Sequence, residues 1–145
     1  MAKNLTLRFR VDFGSECSVG LGKIELLERI ALAGSLSKAA RELHMSYRRA
    51  WLLLEDMNLS FDQPVARASV GGRGGGGAVL TPFGERLVGR YRKLESEVQP
   101  LAQEYFRDFG KRVKAARSKR VIRIVSIKGQ LQKGKKGRPV AADSG

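Results

Sequence analysis

The sequence predicts a mainly α-helical fold with a small β-hairpin, a long helix at the end of the domain and a disordered basic tail. Apolar residues recur at helical spacing through much of the chain, and a glycine-rich stretch separates two short strand-like segments. Charge is uneven: residues 1–110 carry 16 Lys and Arg against 13 Asp and Glu, whereas residues 111–138 carry 12 basic residues and no acidic one. We therefore expect a nearly balanced domain over 1–110 and a flexible polyanion-binding tail over 111–145.

The first element is predicted to be a half-buried strand, because apolar and polar residues alternate through LTLRFRVDF (5–13). The glycine- and serine-containing segment GSECSVGLG (14–22) is expected to be a loop. KIELLERIALAG (23–34) predicts a helix that ends at its final glycine. Its inward-facing residues are expected to be Ile24, Leu27, Ile30 and Ala31.

The segment GSLSKAARELHMSYRRAWLLLEDMN (34–58) predicts a helix-turn-helix. Ser35 or Ser37 can cap a first short helix, and Ser46 can cap a second helix that reaches about Asn58. The expected inner faces are Leu36, Ala39, Ala40 and Leu43 in the first helix and Ala50, Leu53, Leu54 and Met57 in the second. This arrangement leaves basic and aromatic side chains outside at the start of the second helix, as in a DNA-recognition helix.

Several residues of this segment are predicted to contact DNA. They are Ser35, Ser37, Ser46, Tyr47, Arg48, Arg49 and Trp51. Ser46 and the first-turn N–H groups favour a phosphate, while Arg48 and Arg49 can bind guanine edges or phosphates. Tyr47 can contact a thymine methyl group or a phosphate. For Trp51, core packing and DNA contact are equally open.

A hairpin with a long glycine-rich tip is predicted over VARASV, GGRGGGG and AVLT. Gly72–Gly77 matches the G-x-G-x-x-G dinucleotide fingerprint, but a strand follows it where that fingerprint requires a helix. A plain flexible hairpin is one alternative. After a helix-turn-helix, the hairpin is better explained as a DNA-binding wing whose arginine enters the minor groove. Its predicted contact residues are Gly71, Gly72, Arg73, Gly74 and Gly75.

The dipeptide Thr81–Pro82 predicts the start of a long helix, with threonine as N-cap and proline in the first turn. Apolar residues then recur at alternating spacings of four and three, the pattern of a helix that packs along a partner. They are Leu87, Tyr91, Leu94, Val98, Leu101 and Tyr105. The pattern favours a homodimer, with packing onto the same domain as the alternative. Pro100 is expected to kink or split the helix.

The tail contains KKGRP, which resembles the Gly-Arg-Pro core of AT-hook peptides. Lys135, Lys136 and Arg138 are therefore candidate DNA contacts, although nonspecific attraction to phosphates is the favoured explanation.

Nothing in the sequence predicts an enzyme, a cofactor or a metal site. His44 is the only histidine and falls in the predicted turn between two helices, while the single cysteine, Cys17, cannot form an internal disulfide. No apolar run is long enough to span a membrane. We therefore expect a cytoplasmic, nucleoid-associated protein without a membrane partner.

Together, GSLSKAARELHMSYRRAWLLLEDMN and GGRGGGGAVLTPFGERLV resemble the N-terminal DNA-binding domain of the molybdate-dependent regulator (ModE) family, and more distantly the helix-turn-helix of LysR-type regulators. The resemblance runs from about Leu5 to about Leu101. It implies a winged-helix fold, a homodimer, a Ser46–Trp51 helix in the major groove and a Gly71–Gly77 wing on DNA. Full-length members carry C-terminal molybdate-binding modules, whereas this chain has a basic tail, so direct molybdate binding is not expected.

The sequence thus favours a dimeric transcription regulator that binds a pseudo-palindromic operator in double-stranded DNA, with the link to molybdate metabolism that the resemblance implies. One alternative is an architectural or RNA-associated protein that binds without sequence specificity through its tail. A weaker alternative is a small-molecule sensor that uses the glycine loop as an anion nest.

Overall fold

The computed structural model describes residues 4–69 and 76–114. The chain divides into two units, Met1–Val113 and Lys114–Gly145, and the second lies outside the described residues apart from Lys114. The described elements, in chain order, are β1 (Arg10–Phe13), β2 (Cys17–Gly20), α1 (Leu21–Ala33), α2 (Leu36–Glu42), α3 (Tyr47–Ser60), β3 (Ala66–Ser69), β4 (Gly77–Leu80), α4 (Pro82–Tyr105) and α5 (Arg107–Arg112). The predicted fold class, mainly helical with a winged helix-turn-helix, is confirmed.

The first hairpin corrects the expected loop over 14–22. Strand β2 pairs antiparallel with β1, with Val11 opposite Val19, and the turn between them uses Gly14 at a φ of +64°. Cys17 and Val19 are buried, and this tertiary packing stabilises a strand that the composition of the segment does not predict.

The segment before β1 is extended, but only Arg10–Phe13 forms the strand that was expected over 5–13. Helix α4 holds this segment by polar contacts. The Leu7 N–H donates to Gln99 Oε1 at 2.8 Å, and Gln99 Nε2 donates to the Leu5 carbonyl. Further along, the Tyr91 hydroxyl donates to the Phe9 carbonyl at 2.8 Å, and the two rings stack with centroids 4.5 Å apart. The predicted alternation of burial holds from Leu5 to Val11, and α4 is one of the elements that this segment packs against.

Helix α1 is the centre of the domain. It ends at Gly34, whose φ of +70° is the left-handed conformation that favours glycine at a helix C-terminus. Its buried residues are Ile24, Leu26, Leu27 and Ile30. The expectation for Ala31 was wrong, because Ala31 is exposed and Leu26 is buried in its place. Helices α2, α3 and α4 and strands β2 and β4 all contact α1, so its buried face is wider than one stripe.

The second hairpin, β3–β4, confirms the predicted wing strands, with Arg67 opposite Val79. Its base is fixed to the helices at two points. The Ala78 N–H donates to the Gly34 carbonyl at 2.9 Å, and Asn58 of α3 accepts from the Val65 N–H at 2.8 Å. The wing base and the helix-turn-helix therefore form one body.

Helix α4 begins as predicted, with Thr81 Oγ1 accepting from the Gly84 N–H at 3.0 Å and Pro82 in the first turn. It does not split at Pro100 but continues to Tyr105. A proline removes one backbone hydrogen bond, and at an exposed position water can satisfy the freed carbonyl. Helix α5 then reaches Arg112, across the domain boundary expected at 110.

Within the two described ranges, no helix combines the length and apolar character needed to cross a membrane.

Candidate nucleic-acid interface

The pair α2–α3 forms the helix-turn-helix. Small residues let the two helices pack closely, since Ala39, Ala40 and Ala50 are all buried. His44, in the turn between them, has a φ of +54°. The Met45 N–H donates a hydrogen bond to the Ala40 carbonyl at 3.0 Å. The prediction that His44 is a turn residue agrees with this geometry.

The caps of both helices are serines. Ser35, and not Ser37, caps α2 by accepting from the Lys38 N–H at 3.0 Å. Ser46 caps α3 by accepting from the Arg49 N–H at 3.1 Å. Because its hydroxyl satisfies only one of the four orphan N–H groups, the start of α3 still offers donors and the positive end of a helix dipole to an anion.

The exposed side chains at the start of α3 are those predicted for a recognition helix. Tyr47 is 57% exposed and Trp51 is 45% exposed, and Arg48 and Arg49 also face solvent. On the opposite side, Ala50 and Met57 are fully buried, and Leu53 and Leu54 pack against the core as expected. Trp51 is thus available to a ligand and is not a core residue.

Four further exposed residues, three in the helix-turn-helix and one in β3, were not singled out from the sequence. They are the exposed cations Lys38, Arg41 and Arg67 and the half-exposed Leu52. Lys38, Arg41 and Leu52 could have been found from the inner faces predicted for the two helices, because residues outside those faces point toward solvent.

Acidic residues on α3 are partly neutralised. Lys23, at the start of α1, has a largely buried side chain and lies 2.5 Å from Asp56 Oδ2, and its ammonium group also donates to the Ser18 carbonyl at 2.6 Å. This ion pair offsets one of the two carboxylates, Glu55 and Asp56, that would otherwise repel a polyanion approaching α3.

The glycine-rich tip of the wing, including Gly71, Gly72, Arg73, Gly74 and Gly75, lies outside the described residues. The tail residues Lys135, Lys136 and Arg138 also lie outside them. The predicted DNA contacts at these positions therefore stay predictions, and the described base of the wing shows only where the tip begins and ends.

The apolar repeat predicted on α4, called the seam from here on, divides into a buried and a more exposed part. Leu87 and Tyr91 pack within the domain, and Tyr91 is 4% exposed. Leu94, Leu101 and Tyr105 are 41%, 52% and 79% exposed, and Val98 is half-buried. The alternative of packing on the same domain thus holds for the first part of the seam, and dimerisation stays a prediction for the rest.

Arg92 ties α1 to α4 beside this seam. Its guanidinium donates to both carboxylate oxygens of Glu28, at 2.7 and 2.9 Å, and to Glu95 at 2.7 Å. The hydrogen bond from Arg92 lowers the pKa of Glu28, and the same bond raises the pKa of Arg92. Burial raises the pKa of the Tyr91 hydroxyl.

Among the described residues, no three His, Cys, Asp or Glu side chains are grouped so that they could hold a metal ion.

Comparison with known proteins confirms the resemblance inferred from the sequence. The chain is 42% identical over 87 residues to the molybdenum-pterin-binding protein MopB of Rhodobacter capsulatus, a match that covers 60% of this chain and 32% of MopB. It is 40% identical over 86 residues to the DNA-binding transcriptional dual regulator ModE of Escherichia coli K12, covering 59% and 32% of the two chains. It is 43% identical over 96 residues to the molybdenum transport protein ModE of Azotobacter vinelandii, covering 63% and 36%.

The matches therefore span about a third of the length of these relatives. No model of a protein family matches the chain.

Proposed function

We propose that this protein is a sequence-specific DNA-binding transcription regulator of the ModE type that binds a pseudo-palindromic operator as a homodimer. The observation that carries the proposal is the start of α3, where Tyr47, Arg48 and Trp51 project from a helix whose opposite face is buried. Similarity over this region to a DNA-binding regulator supports it.

The geometry of α3 suits the major groove. A single α-helix fits this groove, and recognition helices present their N-terminal residues to the base edges. We infer that Arg48 binds a guanine edge and Tyr47 a thymine methyl group or a phosphate. Arg49 and the first-turn N–H groups that Ser46 does not cap would hold phosphates.

The wing and tail are proposed to add affinity for DNA that does not depend on its sequence. The base of the wing is fixed to the domain by the hydrogen bond from the Ala78 N–H to the Gly34 carbonyl, just before α2. We propose that Arg73 enters the minor groove and that the basic residues of the tail neutralise phosphates, which makes binding strongly salt-dependent.

Dimerisation is proposed to use the exposed part of α4, with Leu94, Leu101 and Tyr105 against a second copy. Two copies would then read two half-sites about one helical turn, roughly 34 Å, apart. Since one relative is named a molybdenum transport protein, we further propose that the regulated genes serve molybdenum handling.

Selection of bound sequences from a random duplex pool by the full chain tests the proposal, followed by gel-shift titration of the selected duplex. Arg48→Ala is expected to lose preference at one base pair per half-site at a cost of about 1–3 kcal/mol. Arg86→Ala, which removes an equal charge from an exposed position on α4, is the matched control and should keep the preference.

An architectural protein dominated by its tail is the second candidate, favoured by the 12 basic residues and absence of acids between positions 111 and 138. It predicts that selection enriches no sequence and that wild type and Arg48→Ala bind every duplex equally. That outcome would exclude the proposed regulator.

A further inference from the structure

Leu52 is an exposed apolar side chain beside two arginines of α3. It belongs to the second turn of α3 and is 49% exposed. Its sequence neighbours on the helix surface include Arg48 and Arg49, four and three residues earlier. The core of the domain does not account for this leucine, since Leu53 and Leu54 are the leucines that pack inward.

Helix geometry places Leu52 on the face of Arg48. Residues four apart lie above one another on an α-helix, at a separation of about 6 Å along the axis. Base pairs in DNA follow one another at about 3.4 Å. If Arg48 reaches one base edge in the major groove, Leu52 therefore faces a base edge one or two steps away.

The surroundings of Leu52 favour DNA over a protein partner. A shallow surface hollow is lined by Leu52 together with Ser46, Arg48, Arg49, Leu53 and Asp56. Lys23 pairs with Asp56, so the carboxylate beside the hollow is offset, whereas the two arginines face solvent. An anionic occupant that carries a small apolar group matches the two arginines and the leucine side chains of this lining. The thymine 5-methyl group, the one apolar projection into the major groove, meets this description.

We propose that Leu52 is a specificity-determining residue that contacts the 5-methyl group of a thymine one or two base pairs from the contact of Arg48. This inference rests on the proposed function and names a base that the regulator prefers. Burial of the methyl against Leu52 favours thymine over cytosine at that position, because cytosine presents an amino group and no methyl group there.

Replacement of thymine by deoxyuridine tests this contact, because the two bases pair identically and differ by one methyl group. Each thymine of the selected duplex is replaced in turn and the affinity of the full chain is measured by fluorescence anisotropy. One thymine per half-site is expected to lose about fourfold in affinity, the effect of one buried methyl group.

Variants at Leu52 assign the effect to this side chain. Leu52→Ala should lower the thymine-to-uracil ratio at that position to about one, whereas Leu52→Met, which keeps an apolar side chain of similar length, should preserve discrimination. Leu59→Ala is the matched control, since Leu59 is 76% exposed on the last turn of the same helix and should leave the ratio unchanged. Circular dichroism checks that each variant is folded.

Two results would overturn the inference, and they differ in what they say about the regulator. If the protein selects a sequence but uracil is neutral at every thymine, or if Leu52→Ala keeps the discrimination, Leu52 does not contact the methyl group and the proposed function stands. If no sequence is selected from the pool, the proposed function and this inference both fail.

Discussion

The two halves of helix α4 share one sequence pattern but have different surroundings. In the N-terminal half (82–93), Leu87 and Tyr91 pack against the first hairpin and α1. In the C-terminal half (94–105), Leu94, Leu101 and Tyr105 continue the same spacing but are exposed. A four-three repeat therefore shows that a face is apolar, and the rest of the fold decides whether that face is already covered. The buried half stabilises the monomer, and the exposed half is available to a second copy.

The largest expected difference between the halves comes from the same substitution in each. Tyr91→Ala should lower the free energy of unfolding by about 4 kcal/mol, because it removes a buried ring, its stacking on Phe9 and a hydrogen bond. Tyr105→Ala should change it by less than about 0.5 kcal/mol. Urea unfolding at low protein concentration, where association does not contribute, measures both. Equal costs would show that the two halves are equally packed in the monomer.

A glycine pair sharpens the comparison within the first half. A Cβ at Gly84 would collide with the Val65 carbonyl oxygen, which is backbone and cannot move aside. Gly84→Ala is expected to destabilise the domain by about 3 kcal/mol. Gly89, in the same helix, has nothing within 4 Å of the equivalent position, so Gly89→Ala should stabilise by about 0.5–1 kcal/mol. Thermal unfolding measures both, and a stable Gly84→Ala variant would contradict the close approach of α4 to Val65.

A charge in the exposed half should act on association and not on folding. Leu101→Asp is expected to weaken the proposed dimer at least tenfold, about 1.4 kcal/mol, because a carboxylate would be buried between the copies. Leu32→Asp is the matched control, since Leu32 is 77% exposed on α1. Sedimentation equilibrium gives the dissociation constants. A wild type that is monomeric at every concentration would show that the exposed half has no second copy as partner.

The smallest effect concerns the ion pair between α1 and the buried half. Because Arg92 lowers the pKa of Glu28, the pair contributes stability above the ordinary pKa of a glutamate, and that contribution is lost as pH falls through the lowered value. The pair is about one-third exposed, so we expect less than about 1 kcal/mol.

Glu28→Gln should therefore be less stable than wild type near pH 6.5, and the difference should shrink in acid. Urea unfolding across this range measures it, with Glu97→Gln in the exposed half as the control for loss of one carboxylate. A difference that grows on acidification would have the wrong sign.

Local signals predicted the helix starts well. Ser46 and Thr81 cap α3 and α4 as expected, because an N-cap needs only its own side chain and the N–H groups that follow it. Exposure of Tyr47 and Arg48 also followed from helical spacing alone. These are properties of a few consecutive residues.

Features that depend on distant residues were missed. Strand β2 forms because Cys17 and Val19 pack on the rest of the domain, and Leu26 is buried because several elements surround α1. Likewise, the repeat in α4 could not show which half was already covered. For the wing tip and tail, the predicted contacts lie outside the described residues and stay predictions.

The two hydrogen bonds between Gln99 and the backbone at Leu5 and Leu7 have a practical consequence for purification. They bring Asn4 and Leu5 beside Pro100 and the start of α5, where Asn4 and Phe106 line the same hollow. Asn4 and Leu5 therefore lie close to the half of α4 that the proposed dimer would use, and an affinity tag attached before them is expected to weaken that dimer. A cleavable tag should therefore be removed before the oligomeric state is measured.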